Sequence, residues 1–392
     1  MKVFENAFKV PVLSMGFRPF FIMVIVMAVI PSAAWVLQFT GVYSFNFSPL
    51  TARQWHANEM IFGFVLAAVM GFLLTASANW TGTRGVYGGR LFFLFSLFFT
   101  TRLLFWFTPF ESLWAYAYLS SIFPAVMALH FARLFVKTNN RRNLVLIVPL
   151  AVIGVGQFLL LNSSYLTGYE LALYSVRFLI VVIAGRVIPF FTRRALGLDP
   201  KWNLPVLEQL TIWSALLLIF EPFLKGGGAV GERLWLGLTL LALVLNAFRL
   251  VNWRFSPAFK VKILFILYVA YLWLPIHFAL ALASHFHWIN DVGKGSLHAL
   301  SFGCMGMMIL GIVHRVSLGH SGRAIRAGFV SVTAYIPLFA GALVRVFGPI
   351  LDPSHFMLWV QISGALWVLS FISLGVEIIP FLISPRPDGK DF

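Results

Sequence analysis

Long apolar runs fill this chain, and short polar clusters punctuate them. The runs lie near Phe20–Thr40, Met60–Ser77, Leu91–Thr108, Leu113–Val136, Leu144–Leu161, Gly168–Phe190, Val206–Leu224, Leu234–Val251, Val261–Ser284, Ser296–His314, Arg326–Phe347 and Phe356–Leu382. A bilayer core about 30 Å thick needs roughly 20 apolar residues per helical crossing, so each run predicts one transmembrane helix. The punctuation is tight, and no loop is long enough to form a separate soluble domain. The pattern predicts an all-α polytopic membrane protein of twelve transmembrane helices in one membrane domain over residues 1–392: an N-terminal segment 1–19, the helices over 20–383 and a tail over 384–392. The first run is too long for a secretory h-region, so no cleaved signal is expected despite Ser32-Ala33-Ala34.

Charge fixes the expected orientation. Threading the runs alternately places Lys2, Lys9, Arg18, Arg84, Arg90, Lys137, Arg141, Arg142, Arg193 and Arg194 on the side that holds the N-terminus, together with most of the later basic loop residues. The opposite side holds only Arg53, Lys225, Arg233 and Lys294. That asymmetry is the positive-inside pattern, so both termini are expected in the cytoplasm and the protein in an inner membrane with lipid around it. The net charge of +16 is thereby explained without nucleic acid, and no basic stripe interleaved with aromatics suggests one.

Composition agrees: 60% of residues are hydrophobic and 11% charged, whereas a soluble domain is about one quarter charged. The single Cys304 excludes a disulfide framework and a Cys-x-x-Cys-His attachment site. Any haem must then be held noncovalently.

The chemistry is expected from polar residues inside the spans, since an ionisable group there costs several kcal/mol and is by default a functional candidate. Arg102, Arg133, Arg177, Arg186, Arg249 and Arg345 qualify, with Glu59, Glu170, Glu221 and Glu377 as partners. Arg133, Arg249 and Arg345 read as interfacial side chains that snorkel. Arg102 and Arg177 sit deeper, to pair with a Glu or to neutralise an anionic cofactor edge. Arg186, two turns inside the end of its helix, has the same two readings, with Glu170 or Glu221 as partner; Pro189 ends or kinks that helix.

Among the histidines, His56, His277, His285, His287, His298 and His355 thread to the outer face. Neutral imidazole is a common ligand of haem iron and copper, and each taken alone is also an ordinary interfacial histidine. His56 opens the second helix in Trp55-His56-Ala57-Asn58-Glu59, and His298 opens the tenth in Leu297-His298-Ala299-Leu300. Below His56 the positions Gly63, Ala67 and Gly71 form a small-residue face that can admit a flat macrocycle or another backbone. Below His298 the face carries Phe302, Met305 and Ile309.

Several of these stretches carry a resemblance. Trp55-His56-Ala57-x-Glu59-Met60-x-Phe62-Gly63-Phe64, with Gly71-Phe72-Leu73-Leu74-Thr75-Ala76 and Trp80-Thr81-Gly82, resembles the second-helix signature of the NnrS family. Gly16-Phe17-Arg18-Pro19-Phe20-Phe21, Gly185-Arg186-Val187-Ile188-Pro189-Phe190-Phe191-Thr192, and Leu297-His298-Ala299-Leu300 followed by Arg315-x-Ser317-Leu318-Gly319-His320-x-Gly322-Arg323 are similar to its other motifs. The resemblance implies a haem- and copper-containing membrane protein of the nitric oxide and nitrosative stress response, and it carries over His56, His298, His320 and Arg186. The family usually has a second histidine where this chain has Asn58. His285 and His287 belong to no family motif; they read as an ordinary pair of solvated loop histidines or as candidates to compensate. His320 reads as a cytoplasmic loop residue.

A more distant resemblance is to the catalytic subunit of haem-copper oxidases, whose haem lies between histidines of the second and tenth helices. It implies His56 and His298 as axial ligands. The working reading adds Glu59 as a residue that orients the site, and Arg177 and Arg186, from their depth in the spans, as candidate cofactor contacts. The seventh run contains no histidine, so the oxidase copper pair is missing. The expected function is therefore redox chemistry, with nitric oxide or a related small molecule and an electron donor as partners. Two rival readings stay open: a transporter with buried Arg and Glu pairs, and a noncatalytic haem-binding sensor or assembly partner.

Overall fold

The computed structural model describes residues 8–45, 50–107, 113–162 and 165–389. The expected N-terminal segment through residue 7, the tail from residue 390 and the Thr108 end of the third run lie outside them. The described residues are helical with no strand, and twelve helices are long and apolar enough to cross a membrane. They are α1 (Phe17–Phe39), α2 (Ala52–Thr81), α3 (Gly88–Phe107), α4 (Ala115–Lys137), α5 (Arg141–Asn162), α6 (Tyr165–Leu196), α7 (Pro205–Gly226), α8 (Gly228–Asn252), α9 (Lys262–His285), α10 (Gly295–His320), α11 (Phe329–Leu351) and α12 (Pro353–Ile383). The chain is a multi-pass membrane protein.

Local chemistry sets the ends of these helices. Thr51 caps α2 by accepting from the Gln54 amide at 3.3 Å, while the Gln54 side chain accepts from the Thr51 amide at 2.9 Å. This reciprocal capping box satisfies two amides that a helix start leaves open, and it starts α2 one turn before His56. At the far end Gly82 closes α2 in the left-handed conformation, φ 63°, which a residue without Cβ adopts without strain. The helix α10 also runs past the apolar run to His320, so His320 is its last residue and half-buried, not a loop residue. The Ser321 hydroxyl bonds back to the Ser317 carbonyl just beyond that end.

Two compact units emerge. The first comprises residues 1–173, 313–325 and 374–392, and the second residues 174–312 and 326–373. In the first unit α1 packs on α2 through the motifs that carry the family resemblance. The Phe17 amide donates to Thr75 Oγ1 at 3.0 Å, and a Cβ on Gly71 would lie 2.7 Å from the Phe21 ring. In the second unit the outer face of α8 is apolar and exposed at Leu234, Leu240, Val244 and Val251, while Trp235, Thr239, Asn246 and Arg249 are buried. Lipid replaces water as the outer solvent, so polar groups turn inward.

Candidate functional site

Polar chemistry in the first unit centres on Glu59. Its carboxylate is fully buried and accepts from Arg102 Nη1 at 3.0 Å, Trp106 Nε1 at 2.9 Å and the Asn58 Nδ2 at 2.9 Å. Arg102 Nη2 donates to the Tyr116 hydroxyl at 3.0 Å. The deep Arg102 of the sequence reading is thus an ion-pair partner of Glu59, and it joins α2, α3 and α4 around one buried charge pair. One turn earlier in α2, the His56 ring stacks on Trp35 with centroids 4.4 Å apart and planes 16° apart.

The backbone around these residues is unusual. Glu59–Val65 is π-helical, and so is Ala299–Gly306 in the second unit. Each wide segment follows within three residues of a histidine, His56 in one unit and His298 in the other. Such insertions leave backbone carbonyls weakly paired and recur at functional sites. Periodicity gives no sign of them, because one extra residue per turn barely disturbs an apolar run.

The helix faces below both histidines are filled. A Cβ on Gly63 would overlap the Met27 methyl, one on Gly303 would lie 2.5 Å from the Trp273 ring, and one on Gly306 2.6 Å from Trp367. The glycines below His56 therefore admit side chains of α1. The occupants of this face are thus Met27, Phe20 and Phe21 side chains, not a second backbone.

In the second unit Arg177 gathers the partners of a second buried charge pair. Both of its Nη atoms lie 3.1 Å from Glu221 Oε2. Nη2 also donates to the Leu218 carbonyl at 2.7 Å. Pro222 has no amide hydrogen to offer that carbonyl four residues back, so the guanidinium replaces a missing helix bond. Lys225 Nζ sits 2.7 Å from Glu221 Oε1. Arg177 Nη1 meets His277 Nε2 at 3.1 Å, and His277 Nδ1 meets the Ser296 carbonyl at 2.8 Å. An arginine and a carbonyl on its two nitrogens make His277 a neutral imidazole, donating through Nδ1 and accepting through Nε2.

His298 Nδ1 lies 2.9 Å from the Lys294 carbonyl. A carbonyl can only accept, so Nδ1 carries a proton and donates, as the second ring nitrogen of metal-ligating histidines does. His285 Nε2 is 3.5 Å from Glu232 at the exposed end of α9. His287 is exposed, with a left-handed backbone at φ 57°. His320, in the first unit, has its ring 5.9 Å from Phe17, and its carbonyl accepts from Arg386 at 2.7 Å. Among the described residues no group of three or more His, Cys, Asp or Glu is placed to hold a metal ion.

Two other arginines differ from or extend the sequence reading. Arg249 does not snorkel: it is fully buried, paired with Glu208, and donates to the Tyr271 hydroxyl at 2.7 Å and the Val181 carbonyl at 3.2 Å. The guanidinium occupies the space a Cβ on Gly185 would take, which explains the glycine before Arg186. Arg186 is half-buried on α6, and Glu221, one of its two expected partners, is engaged by Arg177 and Lys225.

A family model described as NnrS protein matches residues 11–386. No curated protein matches the chain.

Proposed function

The chain belongs to the NnrS family, and from that membership we propose that it is a haem-binding protein of the bacterial inner membrane, able to take copper, that contributes to nitric oxide and nitrosative stress resistance. In this reading both termini are cytoplasmic, and His56 and His298 are each a candidate ligand of noncovalently held haem iron. The observation that carries it is the recurrence of one local design in two separate units: an imidazole held by a neighbour, at the head of a π-helical segment. The donor chemistry fits, because imidazole is a common ligand of haem iron and Nδ1 of His298 donates to the Lys294 carbonyl, as in ligating histidines.

The chain's own residues divide the remaining work. Glu59 accepts from Asn58, Arg102 and Trp106, which holds it as a residue that orients the turn below His56. Asn58, the departure from the family pattern, is completely buried in that cluster. Arg177 and His277 brace the Ser296 carbonyl two residues before His298. His285 and His287 are outer histidines within reach of solvent, and they and His320 are candidates for copper. Bound haem would supply one-electron chemistry tuned by its axial ligands and burial, with nitric oxide or a related small molecule and an electron donor as partners.

The test is a purified preparation with its visible spectrum and its iron and copper content per chain. A haem spectrum lost or altered in His56→Ala and in His298→Ala is the expected result. A spectrum unchanged in both variants rejects these ligands, and colourless protein that moves a solute in vesicles replaces the reading with a transporter. Coloured protein without turnover of nitric oxide or electron donor selects the sensor.

A further inference from the structure

The inward face of α8 is a polar stripe that the charge pairs do not exhaust. Glu232, Trp235, Thr239, Ala242, Asn246 and Arg249 follow one another at alternating spacings of three and four residues, which keeps them on one side of a helix. The inner end is fully bonded: Asn246 accepts from Tyr271 at 2.5 Å and Arg249 is paired with Glu208. Its outer half is different. Trp235 and Thr239 are 3% and 2% exposed, yet neither Trp235 Nε1 nor Thr239 Oγ1 has a hydrogen-bond partner among the described residues.

A buried N–H or O–H without a partner costs about 1–3 kcal/mol, and two such groups one turn apart on a single face double that cost. The surroundings relieve it only if something polar enters. Lys225 Nζ stands 4.4 Å from the centre of the Trp235 ring, the His285 ring lies 5.2 Å from it, and Lys225 bonds Glu221. The Lys225 side chain is 43% exposed and the Glu232 side chain 52%, so the stripe opens toward the surface at this end.

We propose that Trp235 and Thr239 line a hydrated inlet within the second unit, through which water reaches from the Glu232–His285 end of α8 and α9 to the Lys225–Glu221–Arg177 cluster. Water accepts from the indole N–H and the threonine hydroxyl, and the inlet's inner wall is Ala242, the one small apolar position in the stripe. Water in the inlet also solvates the ion pair of Glu221 and Lys225. It stands independently of any cofactor.

Two experiments on the full chain in membranes decide it. Hydroxyl radicals generated from bound water oxidise side chains beside that water, so Trp235 is expected to oxidise several-fold more than Trp253 and Trp273, each 2% exposed. Trp235 oxidised no more than those two overturns the proposal. A thiol introduced by Thr239→Cys is expected to react with a small charged methanethiosulfonate roughly tenfold or more faster than one introduced by Val244→Cys, because thiolate formation is suppressed in apolar surroundings. The native Cys304, fully buried, is the internal reference, read by mass spectrometry. Equal rates at the two introduced thiols likewise overturn the inlet.

Discussion

Arg18, at the start of the first span, donates through Nη1 to the carbonyl of Leu382, at the end of the last, at 3.2 Å, and to the Ser384 carbonyl at 2.7 Å. A helix C-terminus leaves its last carbonyls open and carries partial negative charge. A buried guanidinium 364 residues away in sequence satisfies both needs. Replacing it by the apolar Arg18→Met should lower stability by about 2–3 kcal/mol, the scale of hydrogen bonds to a charged group. Thermal unfolding in detergent checks this, and Arg18→Lys, with a single point charge in place of the fork, should fall between.

Glu59 and Arg102 should be strongly coupled. Removing one member of a buried pair leaves the other uncompensated, at roughly 3–5 kcal/mol. Glu59→Gln and Arg102→Gln are each expected to destabilise on that scale. The double variant should lose clearly less than the two together, and a double-mutant cycle in denaturant measures the difference. Additive losses would mean that the pair contributes no mutual term.

His277 is spoken for on both ring nitrogens. His277→Phe should therefore lower thermal stability, because Arg177 and the Ser296 carbonyl each lose a partner, while iron and copper per chain stay as in the unsubstituted protein. Metal content that falls with this substitution, in protein that remains folded, would make His277 a ligand.

Gly303 is a close-approach position. Its Cβ would sit 2.5 Å from Trp273 Cδ2 and 2.6 Å from Cγ, where a rigid indole in a packed interior cannot give way cheaply. Gly303→Ala should cost about 1–3 kcal/mol, the range for overpacking. Gly237→Ala, with nothing within 4 Å of the added carbon, is the matched control and should be neutral or stabilising in the same melting assay.

How the sequence and the structure share the account is visible in particular residues. The twelve spans were legible because each lipid crossing demands a long apolar run, and the run itself states that demand. Arg102 and Arg177 were legible as buried charges needing carboxylates, since an unpaired charge at that depth is too costly. Trp35 beneath His56, Trp106 and Tyr116 around Glu59, and Glu208 beside Arg249 were not, because each comes from a different helix, and the spacing within one helix is silent about its neighbour. Arg249 lies near a helix end in sequence yet is wholly buried, because α6 at Gly185, Glu208 and Tyr271 close around it.

By itself the sequence determined the membrane class, the number of crossings and the family, through local rules of length, hydropathy and motif order. The tertiary structure alone decided which carboxylates Arg102, Arg177 and Arg249 take, that the glycines below His56 are filled by α1, and that His56 and His298 each lead into a π-helical segment. The physical reason is range: hydropathy acts residue by residue along the chain, whereas partners for buried charge and space are chosen by groups that meet only after the helices pack.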